Sequence, residues 1–456
     1  MVVSTGGGPR VAEPVQTSAL TVIGSLPREL ANKGKRAVRT SPGRLVGLLS
    51  VTIVLLLVAG IVSALMVQQK RTTLNALISS KEPVASATHQ VFRALADADA
   101  TTITSFLNGG QDPAKLQARY HADIQQASKA LAVAATADLG SNSKQLREIT
   151  VNLPVYTGLI ERAYANQRQG FPIGSSYLHE AYGLMTQHLL QPASVLFTAE
   201  SNAVADEQDS ASGFPWWSTV FAVLLLAALI YTQMYLRKRT NRLFNTGLAV
   251  ATIAVLVSLL WSASALIVGA VHVSTARSQG AQPAAELQKM ELSAITARAV
   301  ETLTLVNRNP GAQYEKAFQQ FRTSILGDNG DGGGMAKARS MAEGTDLAGA
   351  VGTITRDAKA WLVDTHNQIR QFNDKGQIEQ AVHLAVANNS NSAGSQFNKL
   401  DNELLAAIGK ARTTFAKQTS AASNALTFLQ VGILLLTVIA VIGSIVGVSR
   451  RLQEYR

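Results

Sequence analysis

The sequence predicts an all-α membrane protein with four transmembrane helices and two extracytoplasmic helical bundles arranged as a tandem repeat. Three observations carry this prediction: four long apolar runs without Lys, Arg, Asp or Glu, a positive charge excess confined to the short segments, and helical periodicity in the two long segments between the runs. The four runs are residues 45–69, 216–236, 246–271 and 427–449.

Each apolar run reaches the ~20 residues that a helix needs to cross ~30 Å of hydrocarbon. The first run is longer than the apolar core of a signal peptide, although Ser63 and Ala64 near its end leave cleavage open as an alternative. In the second run, Trp217 at one end and Tyr231 and Tyr235 at the other are typical of helix ends at a membrane interface. All four runs are therefore predicted to span the membrane.

The charge distribution predicts the orientation of these spans. The leader 1–44, the loop 237–245 and the tail 450–456 carry about +5, +4 and +2, which together account for the +11 of the whole chain. The long segments 70–215 and 272–426 together hold 27 basic and 27 acidic residues. Because excess Lys and Arg in short loops marks the cytoplasmic side, both termini and the hairpin are predicted inside and both long segments outside the membrane. The basic pI of 9.8 therefore reflects topology and not nucleic-acid binding.

The first long segment, 70–215, is predicted to form a four-helix bundle. Val91, Leu95, Ala98 and Thr102 form an apolar stripe at helical spacing. Glycine- and proline-rich breaks near residues 109–113, 140–143 and 170–172 then separate helices predicted at 113–136, 144–168 and 174–212.

The second long segment, 272–426, is predicted to repeat the first. A shift of 200 residues aligns Pro83 with Pro283 and Ala94 with Ala294, and it also aligns Thr102 with Thr302. Breaks at Pro113 and Pro310 follow at similar distances from the preceding apolar run. The repeated order of span, bundle and span predicts an internal duplication in the same orientation.

No catalytic, metal or cofactor site is predicted. The glycine-rich stretch 327–334 lacks the ligand spacing of a calcium loop, because the fifth and twelfth positions counted from Asn329 are Gly333 and Ser340. No His-x-x-x-His pair, phosphate loop or nucleophile elbow occurs. The seven histidines are scattered: His89, His121, His179, His188, His272, His366 and His383.

Three outer arginines, Arg93, Arg162 and Arg298, are candidates for clamping a carboxylate ligand, although a solvated or ion-paired role is the plainer interpretation for each. Asp97 and Asp99 lie two residues apart and therefore point to different helix faces. One of them is a candidate buried partner for Arg93 or Arg119.

Small residues in the spans predict close helix packing. Gly443 and Gly447 form a Gly-x-x-x-Gly pair, for which packing within the chain and dimerisation both stay open. Ser258, Ser262 and Ser264 are candidates for a polar path, but such residues more often pack helices. No span carries the intramembrane charge that ion-coupled transporters use.

The cytoplasmic segments are too short for a kinase, a cyclase or a signalling coiled coil. A signal received outside must therefore pass to a separate protein, which favours a non-enzymatic transmembrane relay. The basic hairpin residues are the candidate contact for a cytoplasmic partner: Arg237, Lys238, Arg239 and Arg242.

The order of spans and bundles, the hairpin Arg237–Arg239 and the stretch Leu95–Thr102 resemble the GlnX family of actinobacterial membrane proteins. The resemblance covers roughly residues 45–450 and rests on diffuse helical patterns. It implies a signal relay in nitrogen metabolism: a GlnH-like solute-binding lipoprotein that senses aspartate, glutamate or glutamine docks outside, and a PknG-like Ser/Thr kinase responds inside. The family supplies no binding motif, so no ligand-contact residue follows from it.

Three alternatives stay open. A direct small-ligand sensor needs arginine and polar side chains that converge in the outer bundles. A channel or transporter subunit needs a polar path through the spans. A purely structural envelope protein would give no metabolic phenotype on deletion, and a homo-oligomer is compatible with any of these functions.

Overall fold

The computed structural model describes residues 41–107, 113–137, 140–213, 216–240, 245–306, 311–387 and 389–453. Every regular element within these ranges is a helix, so the predicted all-α class is confirmed. The α-helices in chain order are α1 (Ser41–Ala76), α2 (Glu82–Leu107), α3 (Pro113–Ala134), α4 (Ser143–Arg168), α5 (Ile173–Leu184), α6 (Gln191–Ser212), α7 (Trp216–Thr240), α8 (Thr246–Thr275), α9 (Gln282–Val306), α10 (Gly311–Leu326), α11 (Gly333–Ala342), α12 (Ala348–Lys359), α13 (His366–Asp374), α14 (Ile378–Val386), α15 (Ala393–Ala425) and α16 (Leu429–Gln453).

Three helical segments are long and apolar enough to cross a membrane: Val46–Leu107, Thr246–Val306 and Ala393–Arg450. They indicate a multi-pass membrane protein. The predicted span 216–236 lies within α7, whose described apolar stretch, Thr219–Tyr235, is shorter than these three. A fourth span therefore stays a prediction.

The chain divides into two compact units. The first contains the described parts of Met1–Val62, Trp217–Leu259 and Ile433–Arg456. Its core is apolar, with Leu56, Leu229 and Ala251 fully or almost fully buried. Large apolar side chains elsewhere on these helices are exposed, as they are in helices that face lipid.

Glycines allow α8 and α16 to approach closely within this first unit. A Cβ atom added at Gly247 would overlap the backbone of Gly443 and Gly447. The side-chain amide of Asn245 also donates to the carbonyl oxygen of Gly447 at 2.8 Å. The Gly-x-x-x-Gly pair thus packs helices within the chain, one of the two roles that the sequence leaves open.

The second unit comprises Ser63–Trp216 and Leu260–Gly432 and contains two helical bundles. Helices α2–α6 form the first bundle. The helices predicted at 113–136 and 144–168 are present as α3 and α4, and the helix predicted at 174–212 is present as α5 and α6. The predicted stripe Val91, Leu95, Ala98 and Thr102 is fully buried. Part of the first predicted break, residues 108–112, lies outside the described residues.

Helices α9–α15 form the second bundle. Its described part contains seven α-helices, whereas that of the first bundle contains five, because α10–α14 are short. The predicted glycine-rich loop 327–334 connects α10 to the start of α11, and Gly327 and Gly330 adopt positive φ values of 71° and 81° in it. The predicted break at Pro310 lies outside the described residues. The predicted tandem repeat stays a prediction.

Four π-helical turns interrupt the long helices of this unit: Leu77–Lys81, Met185–Leu190, Ala276–Ala281 and Ala360–Thr365. In the first three, a proline follows two residues after the turn, at Pro83, Pro192 and Pro283. Proline has no backbone N–H, and its ring clashes with the carbonyl group four residues earlier. That carbonyl group lies inside the π-helical turn in all three cases, so the wider turn accommodates the proline without ending the helix.

Candidate functional site

Helices α2 and α9 lie at the centre of the second unit and pack against each other. Both are buried on nearly every face, and Val91, Leu95, Leu287 and Ile295 have no exposed surface. A helix buried on all sides is normally apolar throughout. Because an unpaired charge is costly to bury, the charged side chains between α2 and α9 are candidates for a functional role.

Arg93 on α2 connects the two bundles. Its Nε lies 2.5 Å from Oε1 of Glu291 on α9, and one terminal nitrogen lies 2.6 Å from Oδ2 of Asp401 on α15. The same nitrogen lies 3.6 Å from Oδ2 of Asp97, one helical turn along α2. A single guanidinium therefore holds carboxylates from three helices.

His89 completes this group of charges, with Nε2 lying 3.0 Å from Oε2 of Glu291. We call His89, Arg93, Asp97, Glu291 and Asp401 the bundle-interface cluster. The second oxygen of Asp401 is buried and accepts no hydrogen bond within the described part of the chain, and the contact between His89 and the second oxygen of Glu291 lacks the geometry of a hydrogen bond. The cluster is thus incompletely satisfied, which is costly in a low-dielectric interior.

Carboxylates outnumber cations in the bundle-interface cluster. Burial raises the pKa of Asp97 to about 7, although Arg93 opposes this shift. Burial likewise raises the pKa of Asp401. Burial lowers the pKa of Arg93, but Asp97, Asp401 and Glu291 together bring it above its ordinary value. Asp97 therefore changes its protonation state near neutral pH and becomes a carboxylate as the pH rises.

The first bundle coincides with a known type of domain. Residues 73–209 match the family model of an actinobacterial sensor domain. This region is a sensor domain of actinobacterial type. It contains α2–α6 and, with them, His89, Arg93 and Asp97, and it implies a sensing role for the chain. No curated protein and no solved structure matches the chain at a significant level.

A second buried group of charges lies inside the second bundle. Glu301 on α9, which is 1% exposed, accepts hydrogen bonds from Arg298 at 2.8 Å and from Trp361 Nε1 at 3.2 Å. Its other oxygen lies 2.9 Å from Nδ1 of His366. His366 Nε2 in turn lies 3.3 Å from both oxygens of Glu315. We call these five residues the Glu301 cluster.

The Glu301 cluster favours its charged forms. Burial lowers the pKa of His366, but the hydrogen bonds with Glu301 and Glu315 raise it to about 8. Although burial opposes it, the hydrogen bond with His366 lowers the pKa of Glu301 and brings that of Glu315 to about 2. The imidazole also stacks on Phe318, with ring centroids 3.6 Å apart. This arrangement fixes α9, α10 and α13 together.

Another buried carboxylate lies in the sensor domain itself. Asp99 accepts a hydrogen bond from the hydroxyl group of Tyr156 at 3.2 Å, and burial raises the pKa of Asp99 to about 7. As the sequence predicts, Asp97 and Asp99 point to different faces of α2. Asp97 faces the bundle interface, while Asp99 faces the core of the sensor domain.

The structure separates the three arginines proposed as carboxylate clamps. Arg93 is ion-paired at the bundle interface, and Arg298 is buried against Glu301. Arg162 is exposed on α4. The proposed pairing of Asp97 with Arg93 is also present. Glu291, Asp401 and Glu301 were not identified from the sequence. Glu291 and Glu301 lie ten residues apart on α9, but Lys289 and Arg298 are charged residues of the same helix, so no isolated charge marks either glutamate in the sequence.

The other residues singled out by the sequence belong to neither of these clusters. Arg237, Lys238 and Arg239 lie at the end of α7, where the structure does not describe side chains, and Arg242 lies outside the described residues. In α8, the exposed Ser264 donates to the carbonyl oxygen of Leu260 within its own helix. Within the described ranges, no three His, Asp or Glu side chains converge as a metal site.

Proposed function

We propose that the chain is a transmembrane signal relay that passes extracytoplasmic aspartate, glutamate or glutamine availability to a cytoplasmic Ser/Thr kinase. One observation carries this proposal: the helix that forms the centre of the sensor domain is continuous with an apolar, membrane-length segment. Val46–Leu107 is a single helical segment of 62 residues that contains Arg93 and Asp97. A displacement in the sensor domain therefore has a direct covalent route toward the membrane.

The bundle-interface cluster supplies the element that such a relay needs. Thr246–Val306, another continuous segment, carries Glu291, and Ala393–Arg450 carries Asp401. Each of the three membrane-length helical segments thus contributes a charged residue to the bundle-interface cluster. A change in the charge or contacts of Arg93 alters the packing of all three helices at once.

The topology in this proposal has four spans, with α7 as the second, both termini inside, and both bundles outside as a tandem repeat. The charge excess of the leader, hairpin and tail supports the orientation. The π-helical turns at Leu77–Lys81 and Ala276–Ala281, each followed by a proline, support the repeat because they differ by 199 to 200 residues. Since the chain has no cysteine, single cysteines introduced into each segment and labelled from outside test this topology.

The partners in this proposal are a GlnH-like solute-binding lipoprotein outside and a PknG-like Ser/Thr kinase inside. The relay itself is not an enzyme and uses no cofactor. The basic residues Arg237, Lys238, Arg239 and Arg242 supply the cytoplasmic contact. The possibility of homo-oligomerisation belongs to this proposal as well.

Co-purification from membranes tests the relay. The full chain is isolated in nanodiscs after mild solubilisation, and we expect an outer solute-binding protein and an inner Ser/Thr kinase to accompany it. Charge reversal at Arg237, Lys238 and Arg239 is expected to remove the kinase and keep the outer protein, provided that cysteine labelling gives the same topology. If the charge-reversed chain keeps both partners, the role of the hairpin is contradicted. If the unchanged chain purifies without either partner, the relay is contradicted.

A direct small-ligand sensor is the second candidate function, because a cationic cavity lies between the two bundles. A channel or transporter subunit is the third alternative, and ion or solute flux in proteoliposomes distinguishes it from a relay.

A further inference from the structure

A cavity of about 290 Å³ lies between the sensor domain and the second bundle. This is close to the lower end of the ~300–1,000 Å³ range that small-molecule sites occupy. We call it the cationic cleft. Its polar lining comes from both bundles: Asp97, Thr101, Lys115 and Arg119 from the first, and Arg298, Ser395 and Asn398 from the second.

Three cationic side chains line the cleft, and two of them, Lys115 and Arg119, lie on the exposed side of α3. Arg119 is also close enough to the carboxyl groups of Asp97, Asp123 and Asp401 to oppose the rise of their pKa values. Arg298 is 4% exposed and is fixed in place by Glu301 and by the carbonyl oxygen of Ala385, at 2.8 and 2.7 Å. The cleft therefore pairs a rigid guanidinium with two exposed cations that a ligand can reach.

The N-terminal end of α15 adds to this positive field. Gly394 and Ser395 line the cleft in the first turn of that 33-residue helix. Ser392 caps the helix by accepting a hydrogen bond from the backbone N–H of Ser395 at 3.2 Å, while the N–H groups before Ser395 have no partner within the helix. Cationic side chains or backbone N–H groups from three helices, α3, α9 and α15, thus line one cavity.

Asp97 is the opposing group in the cleft. It is 6% exposed and accepts no hydrogen bond from another described residue, and the guanidinium of Arg93 lies 3.6 Å from its Oδ2. An acceptor in this position is suited to a ligand that carries a donor as well as an anionic group. Asp97 belongs both to the cleft and to the bundle-interface cluster, so a bound ligand would change the charges that hold α2, α9 and α15.

We infer that the cationic cleft binds a small carboxylate-bearing molecule, with its carboxylate against Arg119 and Lys115 and a hydrogen-bond donor of the ligand against Asp97. The inference deepens the second candidate function, the direct small-ligand sensor, and rests on it for its role, because the ligand would then act on the chain itself without a solute-binding lipoprotein. The fork of donors on a guanidinium matches the two oxygens of a carboxylate.

Calorimetric titration of the full chain in nanodiscs tests the inference, with succinate and L-aspartate as probes. The two share a carbon skeleton and differ by an ammonium group, which is a donor for Asp97. We expect saturable binding of both probes and at least tenfold weaker binding of both to Arg119→Gln and to Lys115→Gln. Asp97→Asn is expected to weaken L-aspartate binding and to leave succinate binding within twofold.

Lys129→Gln is the matched control, because Lys129 is an exposed cation on the same helix but does not line the cleft. Thermal unfolding of every variant checks that the fold is kept, and the exposed Lys115 provides a second variant if Arg119→Gln unfolds. Absence of saturable binding for both probes would overturn the inference, as would equal weakening by Lys129→Gln. Tighter binding of inorganic phosphate than of either carboxylate would overturn the ligand class.

The binding test and the relay test fail separately. A chain that keeps its two protein partners but binds neither carboxylate refutes the cleft and leaves the relay standing. A chain that binds carboxylates but lacks both partners refutes the relay and leaves the cleft standing.

Discussion

The two buried groups of charges in the second unit differ in how completely they are satisfied. In the Glu301 cluster, hydrogen bonds lower the pKa of both carboxylates and raise that of His366. In the bundle-interface cluster, burial raises the pKa of Asp97 and Asp401, and among the described residues Asp401 keeps one oxygen without a hydrogen bond while Glu291 has one that only contacts His89. One cluster is built to stay charged, and the other is poised to change its charge.

This difference matches the position of each cluster. The Glu301 cluster lies inside one bundle, where a fixed arrangement stabilises the fold. The bundle-interface cluster joins helices of two bundles, where a change of protonation or contact shifts the balance between two packings. A buried charge in this protein whose hydrogen bonds are all formed stabilises one arrangement of the helices. A buried charge that lacks some of its hydrogen bonds is a candidate for a switch between two arrangements.

The largest effect is expected from Glu301→Ala. This change leaves Arg298 and His366 buried without their carboxylate, which costs about 3–5 kcal/mol for a broken buried ion pair. Thermal unfolding followed by circular dichroism measures the loss. Glu180→Ala, at an exposed carboxylate on α5, is the control and should leave the melting temperature nearly unchanged. Equal melting temperatures for both variants would remove the structural role of the Glu301 cluster.

A smaller but more localised effect is expected from Arg93→Met. Glu291 and Asp401 lose their shared cation, and we expect a cost of about 2–4 kcal/mol, since Arg93 is partly exposed. Hydrogen–deuterium exchange should increase in α2, α9 and α15 and stay unchanged in α13. Adding Glu291→Gln should recover part of the stability. An increase in exchange that is spread evenly over both bundles would contradict a role of the cluster confined to the interface.

The pH dependence distinguishes the two clusters further. Asp97 has a folded pKa of about 7, above the ~3.9 of an unfolded Asp, so the folded state binds its proton more tightly. Its contribution is fully present below pH ~4 and is lost as the pH rises to about 7, by up to about 4 kcal/mol. His366 has a folded pKa of about 8, above its unfolded value of ~6.5. Its contribution is therefore lost at higher pH, between ~6.5 and 8.

Unfolding temperatures measured from pH 4.5 to 8.5 should show both losses. Asp97→Asn should reduce the slope below pH 7 and keep the slope above it. The slope below pH 7 does not vanish, because Asp99, Asp123 and Asp401 also have raised pKa values. If Asp97→Asn leaves the slope below pH 7 unchanged, the proton released in that pH range belongs to another carboxyl group.

The smallest effect is expected from Arg162→Gln. Arg162 is exposed on α4, and surface substitutions of this kind usually change stability by less than about 0.5 kcal/mol. Melting temperature and succinate binding should both equal those of the original chain. A clear change in either would return Arg162 to the candidate ligand contacts.

The sequence predicts the helical class, three of the long apolar segments and the positions of several helix ends, because these depend on local composition. It also predicts that Asp97 and Asp99 face different ways, because helical geometry decides this within one turn. It does not predict that Arg93 meets Glu291, 198 residues further along the chain, or Asp401, 308 residues further. Such contacts depend on how α2 packs against α9 and α15, which no local periodicity encodes.

The π-helical turns have a consequence for the direction in which side chains point. Each such turn holds one more residue than an α-helical turn, and each residue of an α-helix advances the chain by about 100° around the axis. An extra residue in a regular α-helix would therefore rotate every downstream position, Arg93 included, by about 100° relative to the apolar part before it. Because the wide turn Leu77–Lys81 completes one revolution with the extra residue, it absorbs that rotation, and deleting one residue from it should restore an α-helical turn and keep the direction of Arg93.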